Sequence, residues 1–176
     1  MFPKRLIATI LSMLSVSQAF AVRHTMATAE KEVVSSWLGK HPGYRLATDR
    51  DCSCDLDLKK IRSEGYGGRW SPVPNYHPYT VVGDFNRDGK DDLAVAVVRT
   101  KNSLKFTILV FNGPIEVDEK PSFIDADSNM TGVGFFFGPP RPKPYRLVVG
   151  AFESEGYILI PKGQTYRIEA ISTENE

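Results

Sequence analysis

Cysteine is scarce in this chain of 176 residues: there are two, Cys52 and Cys54, in a Cys-x-Cys spacing. A thioredoxin-type oxidoreductase needs Cys-x-x-Cys at a helix start, which is absent. A sulfur-ligated metal centre needs further ligands, and His41 and His77 stand at no useful spacing. Two readings of the pair remain, a local disulfide or two partly buried thiols. Excess charge is lacking too, with 22 Lys and Arg against 21 Asp and Glu and no basic run, which argues against a nucleic-acid partner. No apolar run approaches the roughly 20 residues of a membrane span, so none is expected. Missing as well are a Gly-x-Ser-x-Gly elbow, His-Glu-x-x-His, a phosphate-cradling glycine loop and a dinucleotide fingerprint. That leaves no catalytic constellation to name.

What is present begins with residues 1–21. Lys4 and Arg5 precede an apolar stretch over 6–16, and Ala19-Phe20-Ala21 supplies a small-x-small cleavage site, the pattern of a signal peptide. Removal would leave 22–176 as one secreted or periplasmic domain and take the balance to 20 basic against 21 acidic residues. No cysteine follows the expected cut, so a lipid anchor there is not indicated.

The most informative segment reads Gly83-Asp84-Phe85-Asn86-Arg87-Asp88-Gly89-Lys90-Asp91-Asp92-Leu93. Oxygen side chains fall at loop positions one, three, five and nine around a glycine at six, which suits a hard cation that takes about six to eight oxygen ligands. Asp84, Asn86, Asp88 and Asp92 supply side-chain oxygens and Lys90 its carbonyl, so that calcium is the expected ion. Gly89 stands where the chain must bend sharply. The loop departs from the EF-hand, because Val95 occupies the twelfth position and β-branched, apolar strands flank it at 79–82 and 93–98. It is expected to join a hairpin over about 79–98, with Asp91 pointing to solvent.

Over 82–97 the chain resembles the FG-GAP and VCBS repeats, whose signature is a strand, an Asp-x-Asn-x-Asp-Gly-x-x-Asp-Leu loop and another strand. The resemblance implies calcium at the hairpin tip in a secreted or cell-surface protein. It covers one unit, and a propeller of four or more blades is excluded on length. The acidic groups Asp125-Ala126-Asp127, Asp49-Arg50-Asp51 and Asp55-Leu56-Asp57 lack the glycine and downstream Asp, and are read as a polar turn and as solvated loop or strand edge.

Around this unit, residues 27–38 form a helix whose Val33, Val34, Trp37 and Leu38 make one apolar stripe. A short strand is expected over 44–47, and strand or helix over 56–61. Residues 62–79 carry Gly65, Gly67, Gly68, Pro72, Pro74 and Pro78 among Tyr66, Trp70 and Tyr76, long for an ordinary connection. Tyr66, Trp70 and Tyr76 are candidate ligand-contacting rings for a protein or carbohydrate partner, against the alternative that they fold back as a lid on the sheet. Further strands are expected at 106–111, 133–137, 146–149, 156–160 and 165–168, six or seven in all. The proline-rich run at 139–144 is an extended surface loop.

The expected architecture is α+β, an N-terminal helix packed on a mostly antiparallel sheet, with a β-sandwich as the alternative. The expected function is an exported, non-enzymatic calcium-binding module. The alternative is a small hydrolase with structural calcium and carboxylate chemistry among Asp49, Asp51, Asp55 and Asp57.

Overall fold

The computed structural model describes residues 22–65, 71–139, 143–152 and 156–171, the side chain of Ser103 excepted. The signal peptide expected over 1–21 lies outside them, as do Tyr66, Trp70 and the turn at 153–155. The described chain holds two helices and two antiparallel sheets, an α+β fold.

Helix α1 (Thr28–Lys40) runs two residues past the expected end. Its start is held by Glu30, whose carboxylate accepts the backbone N–H of Ala27 while Arg23 neutralises it through bonds of 2.8 and 3.2 Å. Val33 and Val34 are buried, with Trp37 and Leu38 packed beside them. Strand β1 (Tyr44–Leu46) follows, then a 3-10 turn (Asp49–Asp51) and helix α2 (Asp55–Ser63). The helical option over 56–61 is the one adopted, since Leu58 and Ile61 lie three apart and both enter the core.

The first sheet contains β1, β2 (Thr80–Gly83), β3 (Asp92–Arg99), β4 (Asn102–Phe111) and β5 (Phe123–Ser128). Strand β3 is the axis: β1 pairs with its end at Val97 to Arg99 and β2 with its start at Asp92 to Val95, both on one edge, and β4 runs along the other. The second sheet has the order β6 (Val133–Phe136), β7 (Leu147–Ala151), β8 (Gly156–Lys162) and β9 (Thr165–Ala170). Among the described residues the strands therefore number nine, not six or seven. Part of the excess is β5, where a polar turn was expected: its residues Asp125 to Ser128 form an edge strand, and an edge tolerates the polar side chains that hide it from sequence patterns.

Period-two alternation sorts the middle strands between two cores. Leu93, Val95, Val97, Leu109 and Phe111 face α1, whereas Ala94, Ala96, Val98, Phe106, Ile108 and Val110 face the second sheet with Phe135, Leu147 and Leu159. The first sheet is thus covered on both sides, by a helix and by another sheet. That double cover is why β3 reads as an unbroken apolar run, with only its last residue exposed. Each fully buried Leu, Ile, Val or Phe there contributes about 1.5–3 kcal/mol.

Candidate functional site

The loop between β2 and β3 is wound by its own side chains. Asp84 Oδ1 accepts the Asp88 N–H at 3.0 Å and its Oδ2 the Gly89 N–H at 3.1 Å. Asn86 Oδ1 accepts the same Asp88 N–H at 2.9 Å, and Asp88 Oδ1 accepts the Lys90 N–H at 2.9 Å. Asn86 Nδ2 donates to Asp88 Oδ2 at 3.3 Å. These bonds, together with φ of +65° at Arg87 and +85° at Gly89, coil the segment into consecutive tight turns. Asp88, Gly89 and Lys90 are exposed, and Asp84 and Asn86 are half-buried.

Asp92 is placed differently. It is fully buried, its Oδ2 accepting the N–H groups of Phe85 and Asn86 at 2.8 and 3.1 Å and its Oδ1 that of Gly113 at 2.9 Å. Burial pushes its carboxyl up to about 6, against the pull of those three donors. Behind it, the Tyr166 hydroxyl donates to Asn112 Oδ1 at 2.9 Å and lies 3.4 Å from Asp92 Oδ2. Burial drives the Tyr166 hydroxyl well above its ordinary range. Gly113 has no room for a side chain, because a Cβ there would strike the Asp91 carbonyl.

As donors, the half-buried carboxylate of Asp84, the exposed one of Asp88, a carboxamide oxygen and a third carboxylate at the loop's end are the hard oxygens that calcium takes. Among the described residues, however, no three His, Cys, Asp or Glu side chains are gathered closely enough to form a metal-holding group. Asp84 and Asp88 spend their oxygens on N–H groups of the turn itself, whereas Asp92 is fully buried and holds N–H groups on its inner side.

Asp91, expected to point to solvent, is half-buried. Its Oδ2 takes an ion pair from Arg23 at 2.9 Å, while its Oδ1 is buried without a hydrogen-bond partner. Arg23 bridges Asp91 and Glu30, and its backbone pairs with Val82 through bonds of 3.1 and 2.7 Å. The segment before α1 is thereby tied to the loop between β2 and β3, a link 68 positions long that no local pattern signals.

The ring expected to contact a ligand at Tyr76 belongs to the core instead. It is 1% exposed, donates to the Phe135 carbonyl at 3.2 Å, and packs against His24 and Phe136 at centroid distances of 4.6 and 5.7 Å. A ring buried this far presents no exposed face to a partner. Burial drives its hydroxyl well above the ordinary range.

Cys52 and Cys54 are joined by a disulfide and both are buried, at the entry to α2. The acidic residues around them do not gather in one cleft. Asp51 is bound by Arg45 through bonds of 2.6 and 2.8 Å, and Asp49 by Arg62 and by His77 Nδ1, the latter at 3.1 Å. Asp125 accepts the hydroxyls of Ser128 and Tyr157, each at 2.7 Å, so its carboxylate serves the join between the two sheets.

An open cavity of about 620 Å³ lies between the segment before α1, the β1 end and the 3-10 turn. His24, Lys31, Thr48, Asp49, Arg50 and His77 are among its lining residues. Sequence reading missed it, since these side chains come from four separate stretches. No helix among the described residues is long and apolar enough to cross a membrane. The chain matches no protein-family model, no curated protein and no solved structure.

Proposed function

We propose that this chain is an exported, non-enzymatic module whose hairpin loop binds calcium, and that the ordered loops around it meet a protein or carbohydrate partner. The observation that carries the reading is the loop at 84–92, where Asp84, Asn86 and Asp88 each fold back on a backbone N–H two to five residues ahead. Asp84, Asn86, Asp88, the Lys90 carbonyl and Asp92 would hold the ion. Bound calcium would cross-link the loop electrostatically and offset the repulsion of its carboxylates. Arg23 would carry that order to the start of α1, because it already pairs with Asp91 beside the loop.

The signal-peptide pattern of residues 1–21 agrees with the assignment, since extracellular sites work at dissociation constants of about 10⁻⁴–10⁻³ M, where calcium is plentiful. The hydrolase alternative draws no support from the acidic groups it relied on. Of Asp49, Asp51, Asp55 and Asp57, only Asp49 lines the cavity.

Calorimetric titration of the chelator-treated protein with calcium tests the reading. Saturable one-site binding that Asp88→Ala abolishes is the expected result. Absence of binding at millimolar calcium would reduce the loop to a hairpin turn.

A further inference from the structure

The cavity beside α1 has a charge pattern that calcium does not explain. Arg23, Arg45 and Arg62, which adjoin lining residues without lining the cavity themselves, are each held by a carboxylate. Lys31 and Arg50 line its wall and, among the described residues, neither is in an ion pair. Asp49 is the one carboxylate on the lining, and both its oxygens are engaged, Oδ2 by Arg62 and Oδ1 by His77. With Nδ1 on Asp49, the His77 ring keeps Nε2 for another partner, and His77 too lines the space. Met26 and Leu46 supply an apolar portion of the wall, and the Thr48 hydroxyl beside them already donates to Asp51 Oδ2 at 2.9 Å.

A cavity of about 620 Å³ is the size of a small-molecule site, with room for a monosaccharide-sized body. Unpaired cations concentrated on a concave surface raise the local concentration of anions. Arg offers a planar fork to carboxylate or phosphate, and Lys a point charge. We propose that this cavity binds a compact organic oxyanion, a carboxylate or phosphate ester of monosaccharide size, with its head at Arg50, Lys31 and His77 and its body toward Met26 and Leu46. This site is separate from the calcium-type loop, although the segment that supplies His24 and Met26 also carries Arg23, which pairs with Asp91. The inference therefore stands or falls apart from the calcium reading.

The test is calorimetric titration of the full chain with glucuronate, glucose 6-phosphate and neutral glucose, each in calcium and in chelator. One-site millimolar or tighter binding of glucuronate or glucose 6-phosphate, but not glucose, is the expected result, and the preferred anion identifies the head group. Lys31→Gln combined with Arg50→Gln should weaken that binding by about tenfold or more, equivalent to about 1.4 kcal/mol, with an unchanged melting temperature because both side chains are exposed. Binding confined to calcium supports the proposal and ties the cavity to the loop. Failure of both anions in both buffers, equal binding of glucose, or undiminished binding by a folded double variant would each overturn it.

Discussion

Asp88 and Asp92 belong to one loop and do different work. Asp88 is exposed and bound only within the turn, so Asp88→Ala should remove calcium affinity while changing the calcium-free melting temperature little, as paired titration and melting would show. Asp92 instead holds three backbone N–H groups from two separate loops. Gly113 is the far end of that grip. Gly113→Ala drives a Cβ into the Asp91 carbonyl and should cost about 1–3 kcal/mol, weakening calcium binding as well, because the turn that steadies Asp92 must shift. Denaturant unfolding alongside calcium titration reads both effects.

Asp51 gives a pH signature. Its hydrogen bonds with Arg45 hold its carboxyl down at about 2, against the opposing effect of burial and with help from Thr48. A carboxyl depressed in the folded state stabilises above its unfolded value, and that contribution disappears as pH falls through the folded one. Melting temperature should therefore drop between about pH 4 and pH 2, and Asp51→Asn should flatten that part of the curve. An unchanged slope in the variant would remove the Arg45 pair from the account of acid stability.

Adjacent residues of β4 support different elements. Leu109 packs under α1, and Ile108 packs between the sheets. Either change to Ala should cost about 2–5 kcal/mol, but only Leu109→Ala should raise amide exchange along α1 above that of the sheets. Hydrogen exchange followed by mass spectrometry separates the two. The strands themselves were readable where alternation or apolar runs are strong, as in β3 and β4. β5 was not, because an edge strand with Asp125 and Asp127 carries the composition of a turn, and its pairing with β4 supplies what local propensity does not.

For the molecule as a whole, calcium should act by mass action. At about ten times its dissociation constant it should add on the order of 1.4 kcal/mol, worth roughly 2–4 °C per kcal/mol in a chain of this length. Scanning calorimetry with and without chelator measures it. An equal gain in Asp88→Ala would mean that any stabilisation arises elsewhere.

The tightly wound hairpin loop at 84–92, the leading helix and most strands were legible in the chain because each depends on residues within a few positions of one another: nine consecutive residues carry the pattern of Asp, Asn and Gly, and periodicity reports which face is apolar. Which face meets which neighbour was decided only by the tertiary structure. So were the inward turn of Asp92, the burial of Tyr76, the Arg23 bridge to Asp91 and the cavity with its unpaired cations, all of which bring together side chains from distant stretches. Burial and long-range charge pairing are properties of the packed chain, and a local pattern of residue types does not contain them.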